Sequence, residues 1–249
     1  MPSISIVTAV FNGVATIRGC VESVKDQSVP VEHIIVDGGS TDGTLGEIEQ
    51  YRAFISRLMT GPDRGMYDAM NKGILAATGN VVGILNADDF YVHGEVLAKV
   101  AEVFADKTVD SCYGDLVYVD AADTNRVVRS WRAGAYDVSR FYRGWMPPHP
   151  TFFVRRSVYK KYGIFNLSLG SSADYELMLR FLLKHGISSR YIPEILVKMR
   201  AGGMSNASFA NRLSANRMDK HAWRVNGLRP YPWTILLKPI SKLPQYWRR

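Results

Sequence analysis

Apolar and polar residues alternate in blocks along the first ninety residues. The apolar, β-branched run at residues 3–10 predicts a strand, and apolar positions at helical spacing up to Lys25 predict a helix. The pattern then repeats. It predicts strands at residues 33–36, 55–59 and 81–85 and helices at 45–54 and 67–77. Because strands that alternate with helices form right-handed βαβ units, the sequence predicts an α/β fold with a mostly parallel sheet.

The pattern is less regular after residue 90. Prolines exclude regular structure from residues 143–150. We expect a helix that begins near Ser172 or Ala173 and a small antiparallel extension of the sheet. The other predicted elements are a helix at 96–104, an antiparallel pair of strands at 117–119 and 127–130, and a strand at 151–154.

The composition is that of an ordinary globular protein, with 47% apolar and 22% charged residues in 249. The net charge of +8 is local: residues 1–206 carry 22 basic and 22 acidic side chains, whereas residues 207–249 carry nine and one. A neutral body argues against nucleic acid as the partner. Cys20 and Cys112 exclude a disulfide framework and a zinc site, which is typical of the cytosol. We expect neither a secretory signal nor a membrane span.

Polar residues follow each predicted parallel strand. Because the carboxyl ends of parallel strands meet at one edge, where such sheets bind ligands, we expect these residues to converge there. The alternative is that some, such as Asn12 and Asp42, only cap helices or form turns. The residues at this edge are Asn12, Asp37, Asp63, Arg64, Asn86, Asp88 and Asp89.

The adjacent carboxylates Asp88 and Asp89 repel one another, and a helix cap needs only one of them. A divalent cation bound by both carboxylates would account for the pair, and such a cation can neutralise a diphosphate leaving group. The loop after the first strand, Phe11-Asn12-Gly13, contains no glycine-rich phosphate motif. A dinucleotide-binding Rossmann fold and a P-loop NTPase are therefore disfavoured.

Four motifs in this order resemble those of family 2 glycosyltransferases of the GT-A fold: ISIVTAVFN at 4–12, IVDGGSTDGT at 35–44, NKGI with ATG at 71–79, and LNADD at 85–89. The resemblance continues through 149–153, 172–177 and 202–205, and is greatest to bacterial enzymes of exopolysaccharide or O-antigen synthesis. It implies an inverting transfer from a UDP- or GDP-type nucleotide sugar that uses Mn²⁺ or Mg²⁺.

The resemblance also implies roles for individual residues. Asp37 is expected to recognise the base, with Thr8 and Val10 lining the same pocket. Arg64 is expected to contact the base or the diphosphate; alternatively it pairs with Asp63. Asp88 and Asp89 correspond to the metal-binding pair. The sequence departs from the family pattern at Asn86, where the pattern begins with an acid, and at Gly38, where many relatives carry a second Asp.

For the catalytic base the resemblance implies Asp174, with Glu176 as the second choice. Asp174 could instead only cap its helix. His149 lies between prolines and is a candidate catalytic or diphosphate-contacting residue, although a structural role is equally open. Arg200 with Gly202 and Gly203 is a candidate flap over the leaving group.

These inferences divide the chain into a catalytic domain at residues 1–206 (nucleotide-binding half 1–90, acceptor-binding half 91–206) and a helical tail at 207–249. Basic and aromatic residues interleave in the tail, which suits an anionic membrane. The resemblance to exopolysaccharide and O-antigen enzymes implies a lipid-linked saccharide acceptor at the inner face of the plasma membrane, and such a tail would carry the protein there. Alternatively, the tail contains a final helix packed on the domain.

Two other functions compete with this reading. A non-enzymatic module could bind anionic surfaces or nucleic acid through the basic tail. A methyltransferase is a weaker alternative, because Gly38-Gly39 follows the second strand whereas the cofactor loop of that class follows the first.

Overall fold

The computed structural model describes residues 1–202, 209–240 and 245. Its strands are β1 (Ile4–Val10), β2 (Val31–Asp37), β3 (Arg57–Thr60), β4 (Val81–Ile84), β5 (Asp89–Tyr91), β6 (Ser111–Val119), β7 (Val127–Trp131), β8 (Phe153–Arg155) and β9 (Ser189–Arg200). Its helices are α1 (Ile17–Lys25), α2 (Thr44–Glu49), α3 (Met66–Ala76), α4 (Val96–Val103), α5 (Val138–Phe141), α6 (Arg156–Tyr162), α7 (Ala173–Met178), α8 (Phe209–Val225) and α9 (Thr234–Ile240).

The described strands form one mixed sheet in the order β3-β2-β1-β4-β8-β6-β9-β5, with β7 paired to β6. The first four strands are parallel, as predicted. Because β8 is antiparallel to both β4 and β6, strand β6 runs in the same direction as β4 and ends at the same edge. The predicted antiparallel pairing of residues 117–119 with 127–130 is confirmed.

Helices cover both faces of the parallel half, which explains why β1 is mostly apolar: all seven of its residues are buried, including Ser5 and Thr8. On one face, α3 packs so close that a Cβ at Gly73 would stand 2.2 Å from Val7 Cγ1. On the other face, Ile6 shares a core with Cys20 of α1.

Two strands were absent from the sequence prediction. Strand β5 has only three residues and begins at Asp89, within the predicted metal motif, and it pairs antiparallel with β9. Strand β9 contains Pro193, and its pairing with β6 shifts register around Asp115, so it lacks a regular alternation. The predicted helix at 45–54 is divided into α2 and a 3₁₀ turn at Arg52–Phe54.

The C-terminal helices pack on the rest of the protein. Trp223 of α8 is fully buried in the largest apolar cluster, and its indole N–H donates a 2.9 Å hydrogen bond to the Tyr175 hydroxyl. Lys238 of α9 donates to Asp219 of α8 at 2.7 Å. The alternative reading of a helix packed on the domain thus describes α8, which shares one core with residues assigned to the catalytic domain.

Several tail residues that motivated the membrane prediction, including Lys242, Tyr246, Trp247, Arg248 and Arg249, lie outside the described residues, as does Gly203 of the candidate flap. Of the helices that are described, none is both long enough and apolar enough to cross a bilayer.

Candidate functional site

The loops after β1 and β2 are joined by hydrogen bonds at the carboxyl edge of the sheet. Asn12 accepts from the Thr41 amide at 2.9 Å, and its own amide donates to Ser40 Oγ at 2.8 Å. Its φ of 50° is in the left-handed region, which asparagine tolerates well. Asp42 accepts from the Thr44 amide at 3.0 Å at the start of α2. Both side chains therefore organise the loop, as the alternative of turn formation expects.

Three residues predicted to contact the nucleotide lie under this edge. The Asp37 carboxylate is buried and accepts from the amides of Gly39 and Ser40 at 3.0 Å each. The Thr8 hydroxyl is fully buried and lies 3.1 Å from His33 Nε2, and the Val10 side chain is 4% exposed. The side chains of Thr8 and Val10 thus support the edge from below, because alternate residues of β1 point toward α1.

Phe11 is a residue at this edge to which the sequence analysis assigns no role. It directly follows β1, and it is 65% exposed. Its only sequence signal is its position, since a large aromatic residue at a strand end otherwise looks like core. Arg64 pairs with Asp68 at 3.1 Å, not with Asp63, and its side chain is 79% exposed.

The candidate metal ligands lie together after β4. Asn86 Nδ2 donates to Asp89 Oδ2 at 2.9 Å. Asn86 Oδ1 and Asp89 Oδ1 are buried and have no hydrogen-bond partner in the described part of the chain. Burial, and then the charge of Asp88, raise the pKa of Asp89 well above its usual range.

These atoms fit a hard divalent cation, which prefers oxygen ligands and often keeps only one or two carboxylates of the protein. The set is incomplete, because the described residues contain no group of three or more His, Cys, Asp or Glu that could hold a metal. A bound diphosphate and water would have to complete it. Asp88, Asp89 and the Asn86 carbonyl would be the protein's ligands.

Arg200 lies against this group. Its Nη1 donates to the Asp88 carbonyl oxygen at 2.8 Å, and its guanidinium stacks 4.8 Å from the Phe90 ring centroid. Gly202 follows with a φ of 107°. The predicted flap therefore begins beside Asp88, and the rest of it lies outside the described residues.

A cleft of about 290 Å³ lies between the start of α3 and the 3₁₀ segment Leu167–Ser172. It is lined by Arg64, Gly65, Met66, Tyr67, Leu167, Gly170 and Ser171. Burial raises the pKa of Tyr67, and so does the negative charge of Asp174 nearby. Asp174 is partly exposed, and its Oδ1 accepts from the Tyr175 amide at 2.7 Å.

The structure brings His149 to the same group. Its ring centroid lies 5.5 Å from that of Phe165, which in turn lies 5.2 Å from that of Tyr67. Burial lowers the pKa of His149, against the opposing effect of Asp174, so the imidazole is uncharged at neutral pH. Asp174, His149 and Tyr67 thus form one cluster beside the cleft, although the first two are 25 residues apart in sequence.

Glu176, the second choice for a base, is not available. It is 3% exposed, Arg180 holds both of its oxygens at 3.0 Å, and Asn226 donates to it at 3.1 Å. A carboxylate in such a paired, buried setting is structural. This role was not visible in the sequence, because Arg180 lies in the segment after α7 and Asn226 directly follows α8.

A model of the family described as Glycosyl transferase family 2 matches residues 5–163. Among curated relatives, a PGL/p-HBAD biosynthesis glycosyltransferase of Mycobacterium bovis is 28% identical over 257 residues, covering 100% of this chain and 98% of its own. The putative glycosyltransferase EpsH of Bacillus subtilis is 30% identical over 142 residues, covering 54% of this chain and 39% of its own.

Two solved structures are similar in fold. The TarS 1-349 fragment of S. aureus, in complex with UDP-GlcNAc, has a TM-score of 0.69 at 16% identity over 90% of this chain and 70% of that one. The mannosyltransferase PcManGT of Pyrobaculum calidifontis, in complex with GDP-Man and Mn²⁺, has a TM-score of 0.67 at 19% identity over 96% and 69%. At these identities the likeness concerns the fold, and it confirms the predicted GT-A architecture.

Proposed function

This chain belongs to glycosyl transferase family 2, and we propose that it transfers a sugar from a UDP- or GDP-type nucleotide sugar to a hydroxyl of a lipid-linked saccharide. The observation that carries the proposal is the cluster of Asp174, His149 and Tyr67 beside the cleft that Arg64 also lines. The Asp174 carboxylate is partly exposed and interacts with Tyr67, which lines the cleft together with the Arg64 guanidinium, a group suited to a diphosphate. The ligands of two structural neighbours, UDP-GlcNAc and GDP-Man, support this class of donor.

The donor's nucleotide is proposed to lie on the carboxyl edge of β1 to β3. The exposed ring of Phe11 offers a stacking surface for the base, and the buried Asp37 carboxylate holds the loop beneath the base through the Gly39 and Ser40 amides. Thr8 and Val10 shape this site through their backbone. Arg64, with 79% of its side chain exposed, reaches the diphosphate from the start of α3.

The proposed reaction inverts the anomeric centre. Asp174 takes the proton of the acceptor hydroxyl while that oxygen bonds to the anomeric carbon. The bond from this carbon to the diphosphate oxygen breaks on the opposite face, and its electron pair leaves with the diphosphate. Uncharged His149 donates a hydrogen bond that orients a reactant. Mn²⁺ or Mg²⁺ at Asp88 and Asp89, when bound, would neutralise charge on the leaving group.

Release of nucleoside diphosphate tests this function. The protein is incubated with UDP-GlcNAc or GDP-mannose, with and without MnCl₂, and free UDP or GDP is measured. We expect slow, metal-stimulated release from at least one donor, and Asp88→Asn and Asp89→Asn should remove the stimulation. No release, together with no binding of either donor, would contradict the proposal.

We also propose that the C-terminal helices meet an anionic membrane. Tyr231 and Trp233 are 51% and 52% exposed and stack with ring centroids 5.2 Å apart. Tyr142 lies 4.9 Å from Tyr231, and the exposed cations Arg143 and Arg229 are close along the chain. Aromatic rings flanked by cations suit the headgroup region of a bilayer, where the acceptor's lipid would be held.

Substitution is a better test of this contact than deletion of residues 229–249, because that deletion would also remove Lys238 from Asp219. We expect Tyr231→Ser/Trp233→Ser to reduce sedimentation with vesicles that contain phosphatidylglycerol. Phe54→Ser is the matched control, since Phe54 is 58% exposed but lies after α2. Equal sedimentation of the double variant and the wild type would refute the contact.

A further inference from the structure

Three strand ends are joined around Gly38. The Gly38 amide donates to the Val10 carbonyl at the end of β1 at 2.9 Å, and the Gly61 amide after β3 donates to the Asp37 carbonyl at 3.1 Å. These bonds fix the spacing of the loops after β1, β2 and β3. Phe11, which follows β1, and Asp63, which follows β3, both lie close to Gly38 as a result.

Residue 38 is a glycine because the side chains of Asp63 and Phe11 occupy the space that a side chain at this position would need. A Cβ on residue 38 would stand 2.5 Å from Asp63 Oδ2 and 3.4 Å from Phe11 Cδ2. Gly38 is not among the residues with positive φ, so its backbone conformation is open to other residues. The requirement for glycine is therefore steric, and it brings a carboxylate and an exposed aromatic ring to one point.

Within the described part of the chain, only one of the two oxygens of the Asp63 carboxylate accepts a hydrogen bond. Its Oδ1 accepts from the Gly65 amide at 2.8 Å. Its Oδ2 accepts no hydrogen bond from any residue that the structure describes, and the neighbouring Arg64 is bonded to Asp68 instead. Asp63 thus presents a charged acceptor beside the 65% exposed ring of Phe11.

A nucleoside matches this pair of groups, because it joins a flat base covalently to a sugar with vicinal hydroxyls. The base can stack on Phe11 while the ribose hydroxyls donate to a carboxylate close by. We propose that Asp63 is the ribose-binding carboxylate of the donor site and selects ribonucleotides over deoxyribonucleotides. This inference rests on the proposed function and adds the residue that reads the sugar of the nucleotide.

Calorimetric titration of UDP, GDP and their 2′-deoxy and 3′-deoxy forms, with MnCl₂ present, tests this role. In the wild type we expect at least one deoxy form to bind about 10- to 100-fold more weakly, the usual effect of losing a hydrogen bond to a charged group. Asp63→Ser keeps an acceptor for the Gly65 amide and removes the free oxygen. In this variant the difference between ribose and deoxyribose should disappear.

Asp123→Ser is the matched control, because Asp123 makes the same local bond: its Oδ1 accepts from the Asn125 amide at 3.0 Å in the hairpin between β6 and β7. It should keep the wild-type discrimination. Gly38→Ala places a methyl group against Asp63 Oδ2 and should lose discrimination as Asp63→Ser does. The double variant should lose no more than either single variant, because both changes remove one interaction.

The outcomes separate this inference from the function it rests on. If the wild type binds UDP or GDP but does not discriminate, or if Asp63→Ser discriminates as the wild type does, the role of Asp63 is refuted and the function stands. A preference for dTDP over UDP and GDP would refute it equally. If no nucleoside diphosphate binds the wild type, the proposed function itself fails.

Discussion

The ion pair between Lys238 and Asp219 joins the last two helices, and replacing Lys238 with methionine tests whether these helices are part of the folded domain. The side chains of Lys238 and Asp219 are 14% and 6% exposed, and the ammonium also lies 3.7 Å from the Tyr175 ring centroid. Methionine keeps most of the apolar volume but leaves Asp219 charged and buried. Loss of one partner from a buried pair costs about 3–5 kcal/mol.

Urea unfolding followed by tryptophan fluorescence measures this loss, since Trp223 of α8 is fully buried and bonded to Tyr175 of α7. We expect Lys238→Met to lower the free energy of unfolding by about 3 kcal/mol or more. Lys238→Met/Asp219→Asn should recover much of it, because the second change removes the stranded charge. Lys99→Met, at the more exposed pair with Glu194, should cost less than about 1 kcal/mol.

The stabilising role of the buried Lys238–Asp219 pair is refuted if Lys238→Met lowers the free energy of unfolding no more than Lys99→Met does. It is also refuted if adding Asp219→Asn restores none of the lost free energy. The second result would mean that the loss does not come from the stranded charge of Asp219. The first would mean that the ion pair adds little and that α9 contributes little to the fold. Residues 229–249 could then be removed without harm, as a detachable membrane tail would allow.

Three other changes probe the site and its supports. Phe11→Ala should weaken binding of UDP or GDP by about 1–3 kcal/mol in calorimetry, whereas Phe11→Tyr should retain it; equal affinities for all three proteins would exclude stacking on this ring. Trp223→Phe leaves the buried Tyr175 hydroxyl without its donor and should lower the free energy of unfolding by about 1–3 kcal/mol, a loss that adding Tyr175→Phe should largely cancel; no cancellation would argue against the hydrogen bond. Burial lowers the pKa of His33 to about 4. As the pH falls from about 6.5 to 4, the unfolded chain therefore binds a proton at this residue that the folded protein does not. The free energy of unfolding should fall by about 3 kcal/mol for this reason. Urea unfolding of His33→Gln at pH 7 and pH 4.5 should give a smaller decrease, and an unchanged decrease would assign the pH dependence to other groups.

The parallel half of the fold could be predicted because its signal is local. Runs such as residues 3–10 are mostly apolar or β-branched, and turn residues close each of them, so a mostly parallel sheet and its ligand edge follow from simple rules. Strand β9 could not be predicted, since its pairing with β5 and β6 depends on partners more than seventy residues away.

The site was predictable only in part, for a similar reason. Asp174 and His149 were found one by one, but nothing in the sequence indicated that Tyr67 would lie with them. Asp63 was predicted to lie at the ligand edge and, as an alternative, to pair with Arg64, but its position over Gly38 depends on how two loops pack. Side chains that act through a contact between distant segments carry no local signal.

Asp174 is proposed to take the proton in a sugar transfer at this cleft. The most direct measurement compares Asp174→Asn with the wild type for donor affinity, by calorimetry, and for metal-stimulated release of nucleoside diphosphate. Asp137→Asn is the matched control, since Asp137 caps α5 through a 2.8 Å bond to the Ser139 amide, away from the cleft. For Asp174→Asn alone, we expect unchanged donor binding and a release rate that is lower by about 100-fold or more. A release rate equal to that of the wild type would contradict this role.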